Sequence, residues 1–209
     1  MGLFNFGKSK GASPQELAER VRLAEETAHQ KVAQLEALQE LVRHLDEDRL
    51  LLMRAAEELR PGMEPTALGQ ALLDVCFKPL GLASLYIALV DWEADTIAFP
   101  VYHEGGRLRN QPVRSFVKEQ GLTGKAMQSG APLYIHTLEE AREAGAIFSE
   151  AERVSGLVPQ SWYGVPLGAM PGLGLVSFQS FQKDAFTESR RRLMDALARI
   201  LAMALMARA

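Results

Sequence analysis

Residues 164–188, GVPLGAMPGLGLVSFQSFQKDAFTE, decide how this chain reads. Two apolar runs flank a Gly- and Pro-containing break, and Thr187 stands where a helix would start. Gly172 and Gly174 open a G-x-G, but the third glycine of a dinucleotide fingerprint falls on Ser177, and a strand-like run follows. Pyrophosphate recognition needs a helix N-terminus there, with free N–H groups and the positive end of the dipole. The stretch therefore predicts two strands, WYGVPL and LGLVSFQS, joined by a hairpin turn at Ala169 to Gly172 whose glycines supply positive φ. Thr187 is the expected cap of a last helix running to Ala209.

Upstream, the same short-element pattern extends back to Gly62. EPTALGQALLDVCFKPLG predicts a helix with Leu68, Ala71, Leu72 and Val75 on one face, stopped by Pro79 and Gly81. ASLYIALV and TIAFPVY read as strands around the acidic turn DWEAD, and an EGG turn leads into a more polar strand ending at Phe116. GLTGKAMQSG is a short helix between glycines, PLYI a strand, and residues 137–160 two short charged helical pieces. Helices at both ends of a run of strands define an antiparallel α+β domain.

Before Pro61 the pattern is different. SPQE at Ser13 is a capping box with proline in the first turn, and neither glycine nor proline recurs until Pro61. One helix over 14–60 would be about 70 Å long, too long to be covered by a domain of this size. Leu17, Val21, Ala24, Ala28, Lys31, Leu35, Leu38, Val42, Leu45, Arg49, Leu52, Ala56 and Leu59 follow alternating steps of four and three, with charge only at Lys31 and Arg49. This is a coiled-coil seam, and Leu17, Val21, Leu35, Leu38, Val42, Leu45 and Leu52 are its candidate homodimer contacts. Val32, Leu41 and Met53 widen the stripe toward a larger bundle.

Composition narrows the function. The chain has 209 residues, a net charge of -3 and one cysteine, Cys76. It lacks the broad basic field that holds nucleic-acid phosphates, so no nucleic-acid partner is expected. A lone cysteine permits no intrachain disulfide or CxxC metal site and predicts a reducing, cytoplasmic setting. Residues 1–13 are expected to be a flexible leader without a secretory core, and Phe6 breaks the myristoylation pattern. The most apolar stretch, Leu193 to Ala207, carries Asp195 and Arg199 and is too short to span a bilayer, so stable membrane insertion is not expected.

Catalytic patterns fail in turn. Gly124-Lys125 suggests a phosphate loop, but Glu119 and Ala126 occupy positions that require glycine and Ser or Thr. His29 and His44 lie on the long helix at non-adjacent turns, and His103 and His136 end different strands without a neighbouring carboxylate or cysteine at ligand spacing, so neither metal nor cofactor is expected. Cys76 reads as a buried structural thiol, and no Ser-His-Asp order can be assembled.

The combination of GLTGKAMQSG, SWYGVPL, GLVSF and AFTE resembles the GAF domain family, a sensor module of many bacterial signalling proteins, over residues 62–209. The resemblance implies a central antiparallel sheet with terminal helices on one face and a ligand cavity on the other, and parallel homodimers through the terminal helices. Alternation would then turn Leu85, Ile87 and Leu89 to the helices and Tyr86, Ala88 and Val90 to the cavity. Tyr86, Ala88, Phe99, Phe116, Met127, Trp162, Tyr163 and Phe178 are the candidate lining. The sequence departs from the cyclic-nucleotide-binding pattern, offers no cavity cysteine for a bilin, and lacks the several cysteines of the family's methionine sulfoxide reductases. The expected function is non-enzymatic: a small apolar or aromatic ligand enters under residues 137–160 and changes helix packing in the dimer. Because no kinase, cyclase or DNA-binding segment follows Ala209, the output is expected through a signalling partner in trans. The alternative is a ligand-free adaptor or scaffold acting through protein–protein contacts.

Overall fold

A computed structural model describes residues 13–117, 121–169 and 171–207, so the leader up to residue 12 lies outside the described residues. The chain divides into two units, Met1–Glu47 and Asp48–Ala209. Helix α1 (Pro14–Glu58) begins in the first. Its start is the expected reciprocal cap: the Glu16 N–H donates to Ser13 Oγ at 3.2 Å, and the Ser13 N–H donates to Glu16 Oε2 at 2.7 Å. Every residue from Ser13 to Glu47 is exposed. Leu17, Val21, Leu35, Leu38, Val42 and Leu45 are each more than 50% exposed.

In the second unit, the chain docks by a stripe that starts beside the heptad and joins it at Leu59, just past the end of α1. Leu51, Ala55 and Leu59 are buried, spaced by four, whereas Leu52 is half-buried and Ala56 exposed. One ridge of i, i+4 side chains meets the core, beside the seam at Leu52 and Ala56 and shared with it at Leu59. The helix ends at Glu58, ahead of the Pro61–Gly62 break.

The remaining elements are α2 (Pro65–Cys76), β1 (Ser84–Asp91), β2 (Thr96–Glu104), β3 (Arg107–Leu108), β4 (Arg114–Ser115), α3 (Leu122–Ser129), β5 (Leu133–Ile135), α4 (Leu138–Glu143), α5 (Glu150–Ser155), β6 (Ser161–Leu167), β7 (Gly174–Ser180) and α6 (Glu188–Met206). The seven strands form one sheet ordered β3-β2-β1-β7-β6-β5, with β4 also on β2. Every pairing is antiparallel. The polar strand expected before Phe116 is two fragments instead. β3 pairs with the end of β2 and β4 with its beginning, and between them Pro112, which has no N–H to give a ladder, lets the chain bow away.

The hairpin forms as expected, closing on the Leu167–Gly174 pair, although Met170 lies outside the described residues. Positive φ falls on Gly168 (+87°) and not on Gly172. Gly172 is needed for closeness: a Cβ there would lie 2.9 Å from the Leu167 carbonyl oxygen. At the C-terminal end, Thr187 Oγ1 accepts the Arg190 N–H at 3.3 Å and caps α6, while Arg208 and Ala209 lie outside the described residues.

Each sheet face has its own core. Leu85, Ile87, Tyr163, Val165, Val176 and Phe178 pack with Leu68 and Leu72 of α2, with Leu193, Leu197 and Leu201 of α6, and with Leu51 and Ala55 of α1. On the opposite face Tyr86, Ala88, Ile97, Phe116, Leu122, Met127, Trp162 and Leu175 form a second cluster. The β1 alternation is therefore as expected, but Tyr163 and Phe178 face the helices, which corrects their assignment to the cavity. Trp162 and Tyr163 are consecutive in one strand and must point to opposite faces, and Phe178 stands directly across from Tyr163 in the register.

Candidate functional site

On the face opposite the terminal helices lies a cavity of about 440 Å³. Tyr86, Phe99, Tyr102 and Trp162 supply its aromatic walls, Leu122 and Thr123 at the start of α3 one side, and residues from Ala141 to Pro159 its roof. Of the expected lining, Tyr86, Phe99 and Trp162 border the space. Ala88, Phe116 and Met127 belong to the packed cluster of the same face.

The aromatic walls are held by a hydrogen-bonded chain. The Trp162 indole N–H donates to the Tyr86 hydroxyl at 3.2 Å, and that hydroxyl shares a 2.7 Å hydrogen bond with Thr123 Oγ1. Tyr102 stacks on Tyr86 with centroids 5.1 Å apart and planes 5° from parallel, and Phe99 meets both rings edge-on. Gly164 makes room for the indole, since a Cβ there would come within 2.0 Å of the Trp162 ring. Tyr86→Phe leaves a buried indole N–H without its acceptor, so the expected loss is about 1–3 kcal/mol of stability in urea unfolding; an unchanged midpoint would show that the network contributes nothing.

The rest of the lining is more charged than an apolar ligand requires. Glu104 and Glu152 are both only 7% exposed. Ser149 links them: its hydroxyl donates to Glu104 Oε1 and its N–H to Glu152 Oε2, inside the capping box that starts α5. Arg109 Nε stands 3.8 Å from Glu104 Oε2. Exposed Arg109, Arg114 and Arg153 stand at the cavity rim, with Arg114 bonded to Gln111 and lying 5.2 Å over the Phe99 ring.

Burial holds the Glu152 carboxyl above its ordinary 4.5; the Ser149 N–H opposes this and the Glu104 charge adds to it. A native pKa above the unfolded one means the folded state keeps the proton better, so stability falls as pH rises through that interval. Glu104, Tyr102, Arg109 and Arg153 are the titratable neighbours at this end of the cavity. Glu152→Gln removes the ionisation while Gln still serves the capping box. Its melting temperature is expected to exceed wild type at about pH 7, with the gap closing below about pH 4; a gap independent of pH would overturn the assignment.

Tyr102, Glu104 and Glu152 are not among the expected lining residues. The register of β2 shifts opposite Ile87 to Leu89, at Phe99–Pro100, so Phe99 and Tyr102 both reach the cavity although they are three apart. A proline inside a strand marks such a bulge and is the available signal. Glu152 and Ser149 are brought in by the roof, which no local pattern predicts.

Elsewhere, Cys76 is buried in the helix-face core, and desolvation pushes its thiol up to about 12, the opposite of an activated thiolate. His136 meets a carboxylate that sequence spacing does not reveal: its Nδ1 lies 2.8 Å from Asp184 Oδ1, across 48 residues of chain, on an exposed surface. Among the described residues no group of three or more His, Cys, Asp or Glu could hold a metal ion, and no helix is long and apolar enough to cross a membrane.

The fold and cavity define an α+β module of the sensor type. A family model for the GAF domain matches residues 62–206, and the chain belongs to that family. Among solved structures it is similar to the GAF domain of a phosphoenolpyruvate-protein phosphotransferase from Coxiella burnetii, with 14% identity, a TM-score of 0.62 and coverage of 77% of this chain and 93% of that one. It is also similar to free methionine-R-sulfoxide reductase from Neisseria meningitidis in complex with its substrate (18% identity, TM-score 0.61, 77% and 89% covered). A third similar structure is a GAF domain from A. aeolicus in an inactive state (19% identity, TM-score 0.59, 78% and 98% covered). No curated protein matches the sequence.

Proposed function

We propose that this chain is a non-enzymatic regulatory protein that binds a small molecule in the GAF cavity, self-associates as a homodimer through α1, and acts on a signalling protein in trans in the cytoplasm. The observation that carries the reading is the roofed cavity of about 440 Å³, a volume typical of small-ligand sites, on the sheet face that the terminal helices leave free. Strands β1, β6 and β7 present residues to both faces, Tyr86 beside Ile87 and Trp162 beside Tyr163, so a ligand that moves a strand on one side moves helix contacts on the other. Such a ligand must bind two arrangements with different affinity, because equal affinity shifts no population.

The neighbouring reductase prompts an enzymatic reading, but the chain's one thiol is buried on the other face of the sheet, where desolvation opposes its ionisation. The six large apolar seam residues exposed from Leu17 to Leu45 support the homodimer, since an apolar stripe of that length in water favours a partner helix.

A thermal-shift screen of the full chain against a metabolite library tests the sensor reading. A ligand at about 100 times its dissociation constant adds roughly 2.7 kcal/mol and raises the melting temperature by several degrees. If no compound moves the transition, the scaffold reading takes its place.

A further inference from the structure

The cavity lining carries a more specific assignment, which rests on the ligand-binding reading above. Its two ends differ in chemistry. At one, the polar atoms of the aromatic walls are spent on each other: the Trp162 indole N–H on the Tyr86 hydroxyl, and that hydroxyl on Thr123 Oγ1. With those atoms paired, and with Phe99, Leu122 and Ala141 in the same lining, this end offers a ligand ring and carbon contacts.

The other end carries charge. Arg109 from the loop after β3, Arg114 of β4 and Arg153 of α5 reach the lining from three separate segments, and two acids, Glu104 and Glu152, stand with them. Both acids have structural partners. Glu104 accepts the Ser149 hydroxyl and pairs with Arg109 at 3.8 Å, while Glu152 accepts the Ser149 N–H at 2.6 Å in the cap of α5. Arg109 is thereby matched by Glu104. Two neutral groups place Arg114: Gln111 Oε1 accepts its Nη2 N–H at 2.7 Å, and its guanidinium lies 5.2 Å over Phe99, itself a cavity wall. Arg153 Nε donates to the Ser149 carbonyl at 3.4 Å and meets no carboxylate among the described residues. Three guanidinium groups against two carboxylates leave one positive charge over, which a monoanion balances and a phosphate dianion exceeds. A planar guanidinium lying on an aromatic wall is the recognition chemistry of a carboxylate attached to a ring.

We propose that the cavity's ligand is an aryl or arylalkyl carboxylate, with its ring among Tyr86, Phe99 and Trp162 and its carboxylate accepting hydrogen bonds from Arg114 and Arg153. A space of about 440 Å³ suits one ring with a short acid side chain. Arg153 belongs to α5 and Arg114 to the sheet, so the carboxylate also ties the roof to the strands beneath it.

The test is calorimetric titration and thermal shift of the full chain with benzoate, phenylacetate, 3-phenylpropanoate and indole-3-acetate, each paired with its neutral amide, and with hexanoate and 2-phenylethylamine as the ringless acid and the cation. At least one aromatic acid is expected to bind, and its amide to bind about tenfold more weakly or worse, the size of a lost charge-assisted hydrogen bond. Arg114→Gln and Arg153→Gln, tested separately, are each expected to weaken the acid by a similar factor while leaving its amide unchanged, which a general loss of fold cannot do. Arg153, exposed and held by one long hydrogen bond, is the variant expected to melt with wild type. An amide that binds as tightly as its acid, an acid whose affinity is unchanged in both variants, or binding by hexanoate or the amine but by no aromatic acid would overturn the assignment and leave the cavity reading standing. A panel and a metabolite library that both fail to bind would overturn the two together.

Discussion

Phe178→Ala is expected to destabilise the GAF domain by about 3–5 kcal/mol, the range for emptying a large aromatic site in a packed core. Phe178 has no exposed surface and packs among the helix-face residues that include Leu197 and Leu201. Neighbours on every side are fixed by the sheet or by α6, so the space cannot close by local collapse. Against a typical stability of about 5–15 kcal/mol, such a loss shifts the urea midpoint strongly or leaves a substantial unfolded fraction. A cavity-lining role would give a different result, with a loss under about 1 kcal/mol and a change in ligand affinity, because one side of the ring would already border open space. Equilibrium unfolding separates the two directly.

The second large effect concerns the exposed seam. Leu38→Asp combined with Leu45→Asp is expected to abolish self-association of the full chain in sedimentation equilibrium. Each leucine buried in a coiled coil contributes about 1.5–3 kcal/mol, and a symmetric dimer loses every substitution twice. Charge repulsion across the seam adds to this, so dissociation should rise by more than about a thousandfold. Both positions are more than half exposed in the single chain, so the domain's own unfolding should move by less than about 0.5 kcal/mol. An unchanged oligomer mass would remove α1 from the interface.

The parts of the fold visible in sequence are those set by local chemistry. The α3 boundaries follow from Gly121 and from Gly130, whose φ is +64°. The α1 cap follows from Ser13 and Glu16, and the two long hairpins from alternation between turn residues. What stays hidden depends on contacts between distant residues. The bulge at Pro100 reverses the parity of β2, so Tyr102 and Glu104 can be placed only with β1 beside them. Alternation is available for Trp162 and Tyr163, yet aromatic character draws both to one face in the sequence reading, against a periodicity that permits only one of them. Leu51 and Ala55 sit beside the heptad positions Leu52 and Ala56 and share Leu59 with the seam, and a single helix in isolation does not reveal which of two adjacent apolar lines meets the core. The polar character of the cavity comes from the roof, where Ser149 and Glu152 reach Glu104 across some 45 residues of sequence.

The claim on which the regulatory reading turns is that the space beneath residues 141–159 is built to be occupied. Native mass spectrometry of the full chain, purified gently and without added compounds, tests it. The predicted result is a mass excess from one bound small molecule per chain, lost on denaturation and lost again when Gly164→Leu drives the Trp162 ring into the cavity. A bare polypeptide mass in wild type, together with a melting transition that no metabolite moves, would contradict it.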